Sequence, residues 1–429
     1  MCVDVYPRED MLKELRNNLF SAGAAVTGMR QILVWFVASM LAFAGPAIAQ
    51  KKYDPGASDS EVKIGQTMPY SGPASSYGTI GRAEAAYFQM INEQGGVNGR
   101  RLTLISVDDG YSPPKTVEQI RRLVEDEGVL LIFQSLGTPT NTAIQKYLNA
   151  RKVPHLLVAT GATKWGDPQN FPWTMGWQPS YQSESRIYAK YLRLHKPNAK
   201  VGVLYQNDDA GKDYLKGLKD GLGSNGPLIV REQSYEVTDA SVDSQIVALQ
   251  ASSADVFFIS AVPKFAAQAI RKSYDIGWQP LRLLANVSTS VASVLEPAGL
   301  DKSTGLITAL YFKDPTDPQW QKDKAFRDWV EWMKKYYPQG DLTDSFNVYG
   351  YSAAQTLVQV LKQCGDDLTR ENVMRQAASL KNLRLSMLLP GIEINTAADD
   401  FYPIEQMQLA RFDGRRWVLF GEVITGESR

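Results

Sequence analysis

Reactive side chains are scarce in this sequence, with two cysteines and two histidines among 429 residues. Cys2 lies in a leader-like amino terminus, so Cys364 has no partner for an internal disulfide and stability is expected from core packing. Cys364 sits in a helical pattern, where a buried bystander is expected. His155 and His195 stand apart, one ending a strand and one ending a helix. With a single thiol they make no zinc-type ligand set, and neither a metal nor a cofactor is expected. Net charge is absent too: Lys plus Arg and Asp plus Glu both number 46. The segment up to Ala49 is itself balanced, so the remainder has no field favouring nucleic acid or a membrane surface.

Long apolar runs are lacking beyond the leader, and no further bilayer span is expected. The leader run, 31–44 (QILVWFVASMLAFA), follows Arg30 and precedes Ala47-Ile48-Ala49, a small-x-small cleavage pattern. Residues 1–49 are therefore read as a cleaved export signal with an extra upstream segment, the alternative being an uncleaved anchor, and Met29 is a second candidate start. The mature chain is expected from about Gln50, with 50–60 as a flexible lead-in. No cysteine stands at the cleavage site to carry a lipid.

From Glu61 onward the chain alternates regularly between apolar strands and amphipathic helices, and its length allows two or three domains. Strand 61–68 (EVKIGQTM) opens into PYSGPASSYG, strand 129–135 into LGTPTN and strand 153–159 into TGA. In an open parallel sheet, ligands sit outside the carboxyl ends of the strands, so three small, amide-rich loops there suggest a small-molecule site. At 138–152 the sequence predicts a helix with Thr138 as N-cap and Pro139 at its first position. A second set of strands and helices runs from 180 to 288, then strand 305–312, two long helices and a terminal β-hairpin over 405–424. The expected fold is α/β, with two Rossmann-like lobes crossed by several linkers and a cleft between them.

Four segments carry a resemblance: SGPASSYG (71–78), INEQGGVNGRRLTLISVDDGYSP (91–113), GTPTNTAIQKYLNARKVP (137–154) and LYQNDDAGKDY (204–214). They are similar to the branched-chain-amino-acid (Leu/Ile/Val-binding) class of periplasmic substrate-binding proteins of ABC transporters. The resemblance implies a type I periplasmic binding fold with three hinge crossings, placed near 175–178, 285–287 and 404–406. The lobes are then 61–176 plus 286–404 and 177–285 plus 405–429. It further implies a monomeric periplasmic receptor without catalysis, whose partners are a small ligand and the permease and ATPase subunits of an importer. A ligand carboxylate is expected on the loops at Gly137, Thr138, Thr160 and Gly161, where a helix start offers free N–H groups and a positive dipole end. Alternatively, the Thr138 hydroxyl caps its own helix. Tyr77 matches a pocket aromatic, Asn286 sits at a crossing, and Tyr205 and Phe346 complete the candidate wall.

One departure bears on the ligand. Amino-acid binders of this family hold the ammonium with a carboxylate after the second lobe's third strand, where this chain reads SAVPKFAAQ, with Phe265 at the acidic position and Val262 at an aromatic one. Ala210 stands where tyrosine is common. A buried ammonium without a counter-charge costs several kcal/mol, so the expected ligand is an aromatic or other organic acid lacking the α-amino group. The alternative is an amino acid whose ammonium meets Asp208, Asp209 or another acid. A ligand-sensing subunit and a secreted enzyme are further alternatives on the same scaffold. GLGSNG (221–226) imitates a dinucleotide fingerprint but comes after a helix and before a strand, so it reads as a helix stop. Asp108-Asp109 reads as a strand-end pair capping the next loop, and Trp320, Trp329, Trp332 and Tyr336 as a core stripe.

Overall fold

The computed structural model describes residues 51–427. The segment read as an export signal, its expected cleavage site and Cys2 lie outside the described residues. Among these residues no helix is long and apolar enough to cross a membrane.

Two parallel sheets organise the chain. In the first, β2 (Glu61–Met68), β3 (Arg101–Asp108), β4 (Leu131–Phe133), β5 (His155–Val158) and β6 (Thr174–Gly176) lie in the order β3-β2-β4-β5-β6. In the second, β7 (Lys200–Gln206), β8 (Leu228–Tyr235), β9 (Val256–Ser260), β10 (Leu281–Leu284) and β11 (Ile307–Leu310) repeat that order as β8-β7-β9-β10-β11. The hairpin β13 (Gln406–Phe412) and β14 (Trp417–Thr425) extends the second sheet antiparallel from β11. Central strands such as LIF, VFFIS and ITAL are buried at every position, as strands covered by helices on both faces require.

Pairing of β11 with both β10 and β13 revises one expected boundary. The sequence expectation gives 286–310 to the first lobe, but these residues stay with the second, because the second sheet needs β11 as its fifth parallel strand. The turn Val291–Leu295 likewise packs on helix Pro263–Asp275. The chain therefore recrosses after Leu310, not at 285–287, and helix Ser345–Cys364 then packs on helix Gly78–Glu93 of the first lobe. The lead-in is also not free. Strand β1 (Lys52–Tyr53) pairs with β12 (Asp367–Leu368), and the Arg100 guanidinium donates to the Tyr53 hydroxyl at 2.7 Å. Cys364 is buried, and Trp332 packs on Tyr351 at 4.7 Å, within the core as expected.

Candidate functional site

In each sheet the strand order reverses beside its first strand, between β2 and β4 and between β7 and β9, and such a reversal opens a crevice at the carboxyl edge. The two crevices face each other across a cavity of about 720 Å3, a volume that includes space open to solvent. Loops after β2, β4 and β5 supply Tyr77, Leu136, Gly137, Thr138 and Ala159, while those after β7, β9, β10 and β11 supply Ala210, Ser260, Val262, Asn286 and Tyr311. Among the described residues, none that lines this cavity is an Asp, Glu, Lys, Arg or His. Its wall holds seven tyrosines (Tyr77, Tyr111, Tyr181, Tyr214, Tyr235, Tyr311, Tyr349), Phe312, Phe346 and the amides Gln178, Gln206 and Asn286.

The first-lobe floor is built around the start of helix Thr138–Ala150. Gly137 has φ +102°, and a Cβ there would lie 2.5 Å from the Tyr111 ring, so the backbone approaches as only glycine allows. Asn141 Nδ2 donates to the carbonyls of Ser135 (2.8 Å) and Gly137 (2.6 Å), and its Oδ1 meets His155 Nε2 at 2.7 Å. Burial lowers the His155 pKa to about 3, so the ring is neutral and its Nε2–H orients the asparagine. The floor's carbonyls are thereby engaged, whereas the Thr138 and Thr140 N–H groups, on either side of Pro139, have no acceptor one turn back and carry the positive dipole end. The Thr138 and Thr160 hydroxyls share a hydrogen bond, and Thr160 Oγ1 lies 3.2 Å from the Tyr181 hydroxyl.

Asp108 and Asp109 act as the strand-end pair expected. Asp109 accepts from the Tyr111 N–H (2.9 Å) and the Thr116 hydroxyl (2.7 Å), holding Tyr111 at φ +61° with its ring on the cavity wall.

The second-lobe wall is backed by Glu184, which is buried. Its Oε1 accepts from the Asn286 N–H (2.6 Å) and the Tyr188 hydroxyl (2.6 Å), and its Oε2 from the Tyr214 hydroxyl (2.9 Å). Burial raises its pKa to about 7. Tyr181 stacks on Tyr214 with ring centroids 4.3 Å apart, and the Tyr235 hydroxyl donates to Gln206 Oε1 at 3.2 Å.

The lobes touch at several places around the cavity. Tyr77 donates to the Val287 carbonyl at 3.0 Å, and Ser290 and Ser293 both donate to Asp344 at 2.8 Å. On the opposite side the Thr163 N–H donates to Asp213 at 2.6 Å, and Lys164 pairs with Asp209 at 3.1 Å.

Of the sequence candidates, Tyr77, Gly137, Thr138, Val262, Asn286 and Phe346 line the cavity. Thr160 lies just behind it, tied to Thr138 and Tyr181. Gly161 is also behind, where a Cβ would lie 2.7 Å from the Tyr181 ring. Tyr205 does not reach the cavity, because side chains alternate along β7 and the wall position falls to Gln206. Phe265 is fully buried, with its ring 4.5 Å from that of Tyr235. It lies in the first turn of helix Pro263–Asp275, rotated into the core, and Tyr235 takes the place on the wall. The N-cap of helix Thr138–Ala150 is Gly137, not Thr138. Neither Asp208 nor Asp209 lines the cavity: Asp208 caps helix Asp209–Leu222 through the Gly211 N–H at 3.1 Å. Sequence reasoning missed Tyr111, Tyr181, Tyr214, Tyr235, Tyr311 and Tyr349. Several of these close a strand or come within a few residues of its end, which is the signal that would have found them.

The sequence profile of the periplasmic binding protein family matches residues 61–416. The Leu/Ile/Val-binding protein homolog 1 of Brucella suis biovar 1 (strain 1330) is 22% identical over 335 residues, covering 77% of this chain and 85% of the relative. Among solved structures, a branched chain amino acid ABC transporter protein from Thermus thermophilus with bound valine superposes with TM-score 0.78 at 18% identity, over 86% of this chain and 97% of the other. A fatty acid ABC transporter substrate-binding protein from Thermomonospora curvata gives 0.75 at 24% identity, over 87% and 95%. At such identities the superpositions establish the shared fold.

Proposed function

The chain belongs to the periplasmic binding protein family, and we propose that it is the periplasmic ligand receptor of an ABC importer, taking a small organic acid without an α-amino group. The observation that carries this reading is the composition of the cavity wall: free helix N–H groups, hydroxyls and rings, with no acid to neutralise an ammonium. A carboxylate is stabilised by such donors, whereas a buried ammonium without a counter-charge costs several kcal/mol. Tyrosine and phenylalanine rings suit an aromatic or apolar body. Closure of the lobes on the ligand selects the form that docks on the permease, with ATPase subunits driving transport. A micromolar dissociation constant corresponds to about −8 kcal/mol, within reach of a few amide bonds and a modest apolar area.

A second reading, an amino-acid receptor, is favoured by the names of the relatives, which include Leu/Ile/Val-binding homologues. Thermal-shift measurements with matched ligands separate the two. Benzoate and 4-methylpentanoate are expected to raise Tm, and their amides are not. Equal shifts from acid and amide remove the carboxylate reading. Stabilisation by leucine but not by 4-methylpentanoate, which differs only by the amine, supports the second reading instead.

A further inference from the structure

We propose that Glu184, one bond behind the cavity wall, takes up a proton when a carboxylate ligand binds and thereby sets the preference for acids over amines. This rests on the cavity being a carboxylate seat. Two wall residues from different elements converge on this one side chain: Tyr214 through its hydroxyl at 2.9 Å and Asn286 through its N–H at 2.6 Å. A phenol has a single proton. While Glu184 is ionised, Tyr214 donates that proton to Oε2 and presents only lone pairs to the cavity. A protonated Glu184 donates to Tyr214 instead, and the Tyr214 proton is released to turn toward a ligand oxygen. Tyr188 has the same freedom, since its hydroxyl lies 2.6 Å from Glu184 and 2.9 Å from the Leu284 carbonyl.

The proton comes from solvent on binding and returns there on release, and no covalent bond changes. Among the described residues, no charged group contributes to the electrostatics of Glu184. Its neighbours are Tyr188 on its own helix, Tyr214 from helix Asp209–Leu222 and the Asn286 N–H, with the Tyr181 and Tyr311 rings close by. Thr308 meets Tyr188 at 3.3 Å. Asp208, an acid behind the wall, is engaged by the Gly211 N–H and by Gln206 Nε2 at 2.6 Å.

Burial brings the Glu184 titration to about 7, so the exchange falls in the physiological range. An anion in the cavity raises that value further. Acid affinity is then greatest below the free value and falls as pH rises through it, by at most about tenfold per pH unit for one proton. An ammonium ligand reverses the sign, because it favours ionised Glu184.

Two measurements on the full chain test this. In the ligand-free protein, the carboxyl-carbon NMR signal that disappears in Glu184→Gln is expected to titrate near neutrality; a midpoint in the ordinary glutamate range overturns the proposal whatever the ligand. Calorimetry of 4-methylpentanoate or benzoate in buffers of differing ionisation enthalpy is expected to show proton uptake that is lost in Glu184→Gln. Tyr214→Phe keeps the acid but breaks its path to the cavity, so it serves if the first variant does not fold, and uptake is expected to be lost there too. Acid binding without uptake, or with uptake surviving in either variant, overturns the relay and leaves the receptor function standing. Binding of leucine alone overturns the acid reading. In that case affinity for leucine that falls between about pH 6 and 8 overturns the role of Glu184 as well.

Discussion

Replacing Ser290 and Ser293 together with alanine removes both hydroxyls that the second lobe places on Asp344, while sparing the Phe346 N–H that the aspartate caps at 3.0 Å. Asp344 is buried in the closed arrangement. A hydrogen bond to a charged group contributes about 1.5–3 kcal/mol where water cannot replace it. In an opened molecule water solvates both partners, so the loss falls mainly on the closed form. Two bonds, discounted for relaxation, bias the lobes toward opening by about 3 kcal/mol, or about a hundredfold in affinity. Burial already raises the Asp344 pKa above the usual carboxylate value. Stripped of its donors the group takes up a proton more readily, which limits the loss at low pH and makes the defect grow as pH rises. Titration calorimetry with 4-methylpentanoate and small-angle scattering of the liganded protein give the two readouts. The variant is expected to bind about a hundredfold more weakly, through faster release, and to keep a larger radius under ligand concentrations that compact the wild type. Unchanged affinity and compaction would show that these bonds do not hold the lobes together.

Gly137→Ala places a Cβ 2.5 Å from the Tyr111 ring and 2.7 Å from Thr140 Oγ1 at a positive φ. It is expected to cost about 1–3 kcal/mol, read as a lower urea midpoint together with weaker acid binding. Phe265→Glu buries a carboxylate beneath Tyr235 and is expected to unfold the second lobe by circular dichroism rather than to retune the ligand. Val262→Asp places its charge on the wall itself, and thermal shifts are expected to move toward leucine and away from 4-methylpentanoate. His155 has its pKa depressed from 6.5 to about 3 by burial. The unfolded chain takes up that proton first, so stability from His155 is complete above about 6.5 and is lost as pH falls toward 3. Between pH 7 and 5 the loss is about 2 kcal/mol. The raised pKa of Glu184 opposes it, since an acid whose folded value is raised gives most stability at low pH. The comparison of urea midpoints is therefore wild type against His155→Gln, whose stability is expected to fall less on acidification.

The parts of the site written in short stretches of sequence were legible. Gly137 and Pro139 announce a helix start at a strand's edge, and Tyr77 stands in a loop set by SGPASSYG. Phase was harder. Tyr205 and Gln206 are neighbours on one strand, yet only the strand's endpoint decides which of them faces the cavity. Counting along a loop puts Phe265 at the ligand, whereas the helix that begins at Pro263 rotates it into the core. Tyr181, Tyr214 and Tyr311 lie far apart along the chain and meet through tertiary packing: helix Tyr181–His195 lies on helix Asp209–Leu222, and Tyr311 follows β11 of the second sheet. The place of 286–310 was illegible for a related reason: the second lobe has five parallel strands, as the first does, and the expected boundary leaves it four.

A wall without charges still discriminates between charges. Burial pushes the Tyr181 phenol up to about 12 and the other wall tyrosines well above their ordinary value, so all remain neutral dipoles at any physiological pH. A dipole whose proton is free to rotate serves an acid or a base equally, so a polar wall alone sets shape rather than sign. Sign enters from what lies behind it. On one side the fixed N–H groups at the start of helix Thr138–Ala150 donate only to an electron-rich atom. On the other, Glu184 decides whether Tyr214 gives its proton inward or backward. One element is frozen by the backbone and the other is adjustable by a single proton, and together they favour an anion most strongly in the form where the buried glutamate is neutral.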